Sequence, residues 1–180
     1  MTKLIPLTKG LFATIDDGDY TWLAQWKWCV ITTGSRKQYA GRRSQNVLIL
    51  MHRFITNAPG GLDVDHKDGD GLNNQRHNLR IATRRQNSSN QHAQLVDKTS
   101  RFKGVNRDKQ TSKWRASIRV NGKLRYLGIF ADEADAASAY DAAARKHFGE
   151  FARLNFPTET EQSAHTPATA GMDAGDTPGA

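Results

Sequence analysis

The sequence predicts an α+β protein made of two parts, and three features of the chain lead to that prediction. Short apolar segments alternate with turn signals through the first half, which is typical of small antiparallel sheets. In the second half, Asn121-Gly122 separates two apolar-polar alternating segments and predicts a hairpin. An alanine-rich segment at 132–149 follows and predicts one helix that packs on that sheet.

The charge of the chain indicates a polyanionic partner. The 180 residues carry a formal net charge of +8, and residues 101–126 hold nine Lys and Arg against one Asp. This density favours nucleic acid over an ordinary solvated surface. The single cysteine, Cys29, excludes a disulfide framework and a cysteine-rich zinc site. No apolar run approaches the ~20 residues of a membrane span. The first residues lack the apolar core of a signal peptide, so we expect a soluble, intracellular protein.

The first half is predicted to form short strands over residues 3–15 and 28–50. Between them, a run that starts at Asp19 or Thr21 predicts about two helical turns. The most apolar run of this half, LILMHRFI at 48–55, is expected to be a short helix or a strand. We expect the tryptophans of this region to lie in the core: Trp22, Trp26 and Trp28.

A polar stretch at 63–90 contains the side chains best suited to chemistry. Cutting a phosphodiester bond requires an activated water and positive charge near the phosphate, and one Mg²⁺ with one imidazole supplies both. Mg²⁺ prefers hard oxygen ligands, which Asp65 and Asn87 offer. His66 has a side-chain pKa suited to a general base near neutral pH. The stretch therefore predicts a nuclease site with one metal ion.

Two other interpretations of this loop are excluded by its ligands. Positions 66–77 resemble a calcium-binding loop in length and in Gly71, but His66 and His77 stand where carboxylates are required. A zinc site on these two histidines would lack further soft ligands. One difficulty concerns the proposed pair itself. Adjacent residues of a regular strand point to opposite faces, so Asp65 and His66 reach one phosphate only if the strand ends or twists there.

The stretch resembles the HNH nuclease motif of phage and intron homing endonucleases, a β-hairpin followed by a helix around one metal (the ββα-metal fold). The resemblance implies that Asp65 is a metal ligand and His66 the general base. Asn78 matches the middle residue, which braces the loop and helps to position the histidine, and Asn87 matches the metal ligand on the helix. The spacings, 12 from His66 to Asn78 and 9 from Asn78 to Asn87, suit the motif. The implied cofactor is one divalent metal, Mg²⁺ with Mn²⁺ as the alternative, and no small molecule.

The second half is predicted to present a cationic sheet face. Residues 101–130 are expected to form three strands, and the helix at 132–149 has an N-cap at Asp132 and an end at Gly149. Since the helix covers the apolar face of the sheet, the other face is left open. In the strand at 114–120 the residues of that open face are Arg115, Ser117 and Arg119.

Residues 102–156 resemble the Apetala-two (ethylene-response-factor type) DNA-binding domain over nearly its full length. The matching positions are Gly104-Val105, Trp114, Leu127-Gly128, Ala139-Tyr140 and Leu154-Asn155-Phe156. The resemblance implies a sheet that docks in the major groove of DNA. Asn106 stands where plant domains usually have Arg and Ser117 replaces an acid, so base specificity is not transferred. In the third strand, Leu124 and Tyr126 match the DNA-facing positions while Arg125 is the obvious cation. The expected DNA-binding residues are Lys103, Asn106, Arg107, Lys113, Arg115, Arg119, Arg125 and Tyr126.

Both resemblances together predict a phage- or prophage-type HNH homing endonuclease in the cytoplasm of a bacterial host. We expect an HNH nuclease domain at 1–95 with its core motif at 63–90, a linker at 96–100, an Apetala-two type domain at 101–156 and a disordered tail at 157–180. The expected partner is double-stranded DNA, with no membrane association, and the protein is expected to be a monomer or a weak homodimer. The alternative is a non-catalytic, sequence-specific DNA-binding regulator on a nuclease scaffold.

Overall fold

The computed structural model describes residues 1–33, 37–90 and 99–158, and these residues form the predicted α+β fold from small antiparallel sheets and short helices. The strands are β1 (Thr2–Pro6), β2 (Phe12–Asp16), β3 (Cys29–Thr32), β4 (Gln38–Ser44), β5 (Val47–Leu50), β6 (Asp63–His66), β7 (Leu79–Ala82), β8 (Val105–Arg107), β9 (Trp114–Val120) and β10 (Lys123–Phe130). The helices are α1 (Asp17–Leu23), α2 (Met51–Thr56), α3 (Arg84–Ser89) and α4 (Glu133–Phe148), with 3-10 turns at Thr8–Gly10 and Gly149–Phe151. Most of the expected linker and the tail from 159 onward lie outside the described residues.

The strands pair within four separate sheets in the described ranges. Their orders are β1–β2, β3–β4–β5, β6–β7 and β8–β9–β10, and every pairing is antiparallel. The first three sheets share one apolar core, in which Ile15, Leu23 and Met51 are fully buried. The segment at 48–55, expected to be a short helix or a strand, contains one of each, because β5 ends at Leu50 and α2 begins at Met51. This core supports the hairpin β6–β7 from one side.

The prediction that all three tryptophans lie in the core is wrong for Trp26. Trp28 is buried and donates its indole N–H to the Leu23 carbonyl at 2.9 Å, and Trp22 is packed against the core. Trp26 remains 43% exposed. The reason is that α1 begins at Asp17 and ends at Leu23, so Trp26 lies beyond the helix and off its buried face. Its ring instead lies 4.0 Å from the guanidinium carbon of Arg42, a contact that keeps the indole at the surface.

The second part folds as its alternation predicts. Ala116 and Ile118 of β9 are buried against Ala137 and Tyr140 of α4, and small side chains let the helix approach the sheet closely. The hairpin turn at Asn121-Gly122 has φ values of 56° and 77°, which is the left-handed geometry that this pair favours. At the helix ends, Asp132 accepts a hydrogen bond from the Ala134 amide at 2.6 Å, and Gly149 forms the C-cap. Within the described residues, no helix is long and apolar enough to cross a membrane.

Two glycines of this part provide a matched test of its packing. Gly104 and Gly122 have nearly the same φ, +78° and +77°. A Cβ at Gly104 would lie 2.0 Å from the Tyr140 ring and 2.7 Å from the Ser117 carbonyl, whereas a Cβ at Gly122 would meet open space. Gly122→Ala should therefore cost only the left-handed backbone penalty, roughly 1–2 kcal/mol. Gly104→Ala should cost about 1–3 kcal/mol more because it overpacks the core. Urea unfolding of the full chain measures both, and equal losses would contradict the close approach of α4.

Candidate metal and DNA-binding sites

The hairpin β6–β7 and the helix α3 form the framework of the first site. Asp65 opposes Arg80 and His66 opposes Leu79 in the antiparallel register. The helix α3 begins directly after β7 because Thr83 caps it. Thr83 accepts from the Gln86 amide at 3.3 Å, and its own amide donates to the Gln86 side chain at 2.8 Å. This capping box fixes the direction in which the helix leaves the hairpin.

Asn78 braces the loop between the two strands. Its side-chain amide donates to Asp68 at 3.0 Å and to the Asn73 carbonyl at 2.8 Å, while its oxygen accepts from the Asp68 backbone at 3.1 Å. The side chain is 1% exposed. The loop is also joined to β2, since Thr14 donates to the Leu72 carbonyl and accepts from the Asn74 amide. The polar loop is therefore packed against the interior, and its hydrogen bonds come from its own side chains and from the backbone of β2.

Asp65 lies on the side of the hairpin that faces α3. Asp65 is 4% exposed, and its Oδ2 accepts a hydrogen bond from the Arg80 Nε at 2.8 Å and forms an ion pair with the Arg80 Nη2 at 2.6 Å. The Asn90 amide nitrogen lies 3.0 Å and 3.2 Å from the two carboxylate oxygens. A buried carboxylate requires partners of this kind because desolvation penalises an isolated charge.

The structure places Asn87 and Asn90 against different carboxylates. Asn87 donates to Asp63 at 3.1 Å, and Asn90 is the amide that contacts Asp65. The two asparagines are three residues apart and face the hairpin together, as expected of that spacing on a helix. Asn90 was not among the residues predicted from the sequence, although its spacing from Asn87 was the available signal. The assignment of Asn87 as a metal ligand stays a prediction.

The side chains between β6 and α3 have the chemistry that a divalent cation requires. Two carboxylates and two amides are brought together, and these are hard oxygen donors of the kind that Mg²⁺ and Mn²⁺ bind. Asn90 is only 4% exposed, and its Oδ1 atom is buried without a hydrogen-bond partner. No group of three His, Cys, Asp or Glu side chains suited to a metal occurs in the described ranges. The carboxylates and the unpartnered oxygen of Asn90 are the donors that fit a hard cation.

His66 points to the opposite face of β6. Its ring centroid lies 4.9 Å from that of His52 and 5.9 Å from that of Tyr39. Its Nε2 atom is buried and has no hydrogen-bond partner. Burial lowers the pKa of His66, against the opposing influence of Asp68 and other nearby carboxylates. The imidazole is thus held neutral with a free nitrogen, which is the state that accepts a proton.

His52 is a second buried histidine, and the sequence alone assigned no role to it. It lies on α2, edge-on to His66, and its Nδ1 atom has no hydrogen-bond partner. Burial lowers the pKa of His52 to about 3, with additional contributions from His66 and Arg53. Arg53 donates to the carbonyls of Leu62, Ala58 and Pro59, so it fixes the segment that leads into β6. His52 thus forms the wall behind the His66 ring.

The register of the second sheet determines which candidate DNA-binding residues share a face. Leu124 opposes Arg119, Tyr126 opposes Ser117, and Asn106 opposes Arg115. Opposed residues of an antiparallel pair lie on the same face, so these six residues form the open face of the sheet. Their side chains are exposed except for the partly buried Ser117.

Four expected DNA-binding residues lie elsewhere. Arg125 opposes the buried Ile118 and Arg107 opposes Trp114, so both belong to the face that carries α4. The register therefore favours Tyr126 over Arg125, because a one-residue shift along a strand changes the face. Lys113 is exposed just before β9. Lys103 donates to the Ser89 carbonyl at 2.6 Å and thus reaches α3.

Comparison with known proteins finds one family model and several relatives. A family model described as HNH endonuclease matches residues 56–89. An uncharacterized HNH endonuclease of Acanthamoeba polyphaga mimivirus is 32% identical over 153 residues, which cover 82% of this chain and 76% of the relative. No solved structure matches the chain.

The remaining relatives that we describe are plant proteins. Dehydration-responsive element-binding protein 2C of Arabidopsis thaliana is 44% identical over 38% of this chain, which spans only 20% of the plant protein. An AP2-like ethylene-responsive transcription factor of the same plant is 51% identical over 57 residues, or 31% of this chain and 11% of its own length. The likeness to these two proteins thus covers part of the chain and a small share of each plant protein.

The buried His52 predicts a pH dependence of stability. Unfolded histidine binds a proton below about pH 6.5, whereas folded His52 titrates at about 3. The unfolded state therefore binds more protons in this window, and the free energy of unfolding decreases as the pH falls through it. From about pH 7 to about pH 5, this loss should be about 2 kcal/mol smaller in His52→Gln than in the wild type.

Chemical unfolding at the two pH values measures the difference. His147→Gln, which replaces an exposed histidine of α4, is the control and should match the wild type. An equal pH dependence of His52→Gln and the wild type would show that His52 is not buried in its neutral form.

Proposed function

The chain belongs to the HNH endonuclease family, and from that premise we propose that it is a metal-dependent homing-type endonuclease that hydrolyses double-stranded DNA. Residues 1–95 would carry catalysis, and residues 101–156 would bind DNA through the open face of the second sheet, joined by a linker at 96–100. The observation that carries the proposal is the site at β6 and α3. There, oxygen donors fit a divalent cation on one face, and His66 has a free imidazole nitrogen on the other.

In the proposed mechanism, His66 acts as the general base. Its buried, unpartnered Nε2 takes a proton from the water that attacks phosphorus, and burial keeps the ring neutral before that step. Asn78 keeps the loop that follows β6 in place through its bonds to Asp68 and Asn73. The predicted products are a 5′-phosphate and a 3′-hydroxyl.

Asp65 and Asn87 are the proposed metal ligands, and Asn90 presents a further amide beside Asp65. When bound, Mg²⁺ or Mn²⁺ would supply positive charge for the phosphorane and for the leaving 3′-oxygen. The role of Arg80 is to hold the Asp65 carboxylate in one orientation. The protein residues thus prepare an anionic oxygen cluster before the cation and DNA arrive.

The open face of the second sheet is suited to DNA by its chemistry. Arg115 and Arg119 offer charge-assisted hydrogen bonds to phosphates or to guanine edges. Tyr126 and Leu124 are 62% and 65% exposed, and such uncovered apolar groups on a cationic face suit contact with sugars and thymine methyl groups. The plant relatives named for DNA-element binding or transcription support this assignment.

Replacing the proposed base should abolish cleavage without abolishing binding. His66→Ala should lower the rate of plasmid nicking in Mg²⁺ by about 10²–10⁴-fold. His77→Ala removes an exposed imidazole from the same loop and should nick at the wild-type rate. If the wild type and His66→Ala are equally inert while both bind DNA, the protein is a DNA-binding regulator on a nuclease scaffold, and the nuclease proposal fails.

The sheet face has its own test in the salt dependence of binding. Arg115→Ala with Arg119→Ala should weaken DNA binding. The slope of log K against log salt should become shallower by about 0.9 for each phosphate that is no longer neutralised, because fewer counterions are released. Lys146→Ala removes an exposed cation from α4, behind the sheet, and should leave the slope unchanged. An unchanged slope in the double variant would contradict the open face as the DNA-binding surface.

A further inference from the structure

Arg80 joins the proposed metal ligand to the C-terminal part of the chain. Its Nε and Nη2 atoms contact Asp65 at 2.8 Å and 2.6 Å. Its Nη1 atom donates to the backbone carbonyl of Glu150, and the Glu150 carboxylate lies at 3.9 Å. The side chain of Arg80 is 9% exposed. One buried guanidinium therefore bridges the nuclease hairpin and the turn that follows α4.

Phe151 completes the surroundings of this guanidinium. The guanidinium carbon of Arg80 lies 4.0 Å from the centre of the Phe151 ring, a distance at which the cation is attracted to the ring face. Phe151 is 8% exposed and lies in the 3-10 turn Gly149–Phe151, directly after α4. The plane of the guanidinium is thus set by the C-terminal part as well as by Asp65.

Two further contacts join the same parts. Lys103 donates to the Ser89 carbonyl at 2.6 Å, at the last residue of α3. Arg153 donates to the Asp68 carbonyl at 3.5 Å, at the start of the loop between β6 and β7. Both contacts reach the elements that carry the proposed site. Burial lowers the pKa of Arg153, as expected for a cation enclosed between two packed parts.

We propose that Arg80 is a positioning residue through which the docked C-terminal domain fixes the orientation of the Asp65 carboxylate. The proposal rests on the proposed function, in which Asp65 holds the metal. Two nitrogens of the Arg80 guanidinium contact one oxygen of Asp65, Oδ2, so a guanidinium fixed by Phe151 and Glu150 holds that oxygen in one place. The other oxygen, Oδ1, which these two nitrogens do not contact, is then presented to the cation. The C-terminal domain thus acts in the metal site as well as in DNA binding.

A consequence concerns the place of the cut. If the domain that binds DNA is docked on the hairpin that cleaves it, the cut falls at a fixed distance from the bound sequence. A domain attached only by a flexible linker would allow a range of distances. The spread of cleavage positions and the metal affinity therefore both depend on whether the C-terminal domain is docked on the β6–β7 hairpin.

The experiment replaces the ring that holds Arg80 and leaves every group of the metal site intact. Mn²⁺ is titrated calorimetrically into the full-length wild type, Phe151→Leu, Phe151→Tyr and Phe156→Leu, with Asp65→Asn as the reference for loss of the site. We expect Phe151→Leu to weaken Mn²⁺ binding on the order of tenfold, as for the loss of an outer-shell partner. Phe151→Tyr keeps an aromatic face and should restore the affinity.

Phe156→Leu is the control, at a phenylalanine that is 42% exposed whereas Phe151 is 8% exposed. It replaces a phenylalanine of the same domain that packs on Phe102, and it should bind Mn²⁺ like the wild type. Cleavage ends mapped on one DNA target should spread over several positions in Phe151→Leu and remain at one position in the control. A loss of affinity that appears equally in both variants would overturn the proposal, because it would reflect general destabilisation.

Unchanged Mn²⁺ affinity in a folded Phe151→Leu overturns the inference and leaves the proposed function standing. A wild type that binds no more Mn²⁺ than Asp65→Asn overturns both. If Phe151→Leu does not fold, Arg80→Lys decides instead, because lysine keeps the charge but cannot donate to Asp65 and Glu150 as a rigid fork. Wild-type affinity and a single cleavage position in Arg80→Lys would then overturn the inference.

Discussion

The buried ion pair between Asp65 and Arg80 is the interaction on which the arrangement of this protein depends. Both side chains are almost fully enclosed, and removing one partner of such a pair costs several kcal/mol, about 3–5, because the other charge remains buried. Asn90 and Phe151 contact the two members of the pair from different parts of the chain. The pair therefore holds the helix α3 and the C-terminal turn against one hairpin, and the position of the proposed metal ligand Asp65 depends on all of them.

The sequence predicted best the features that depend on interactions between residues close together in the chain. The hairpin at Asn121-Gly122, the cap at Asp132 and the alternation in β9 depend on neighbouring residues, and the local sequence signals match the structure there. The end of α1 was missed because tertiary packing, not local periodicity, decides where a short helix stops. The α+β class was accessible because it needs only the local patterns.

The candidate site was predictable in part for the same reason. Asp65, His66 and Asn78 could be proposed as site residues from the motif, since their spacing within one hairpin is local, and their roles stay a prediction. Asn90 was missed, and no local pattern singled out Arg80 or His52 for the site. Their contacts with Asp65 and His66 join elements distant in sequence, and an arginine in a strand or a histidine in an apolar run has many ordinary uses. The faces of Arg125 and Tyr126 required the register of β10, which has a bulge between Tyr126 and Gly128.

The alternation of β6 bears directly on the proposed chemistry. Asp65 and His66 are adjacent, and side chains of adjacent residues face opposite ways in a regular strand, which first counted against the pair. The strand remains regular through His66, and the two side chains do face apart, Asp65 toward α3 and His66 toward α2. In-line displacement at phosphorus requires the attacking and leaving oxygens on opposite sides. The proposed mechanism, in which His66 serves the attacking water and the Asp65 side serves the leaving 3′-oxygen, therefore depends on the end of β6 at His66, where one phosphate can lie between the two side chains.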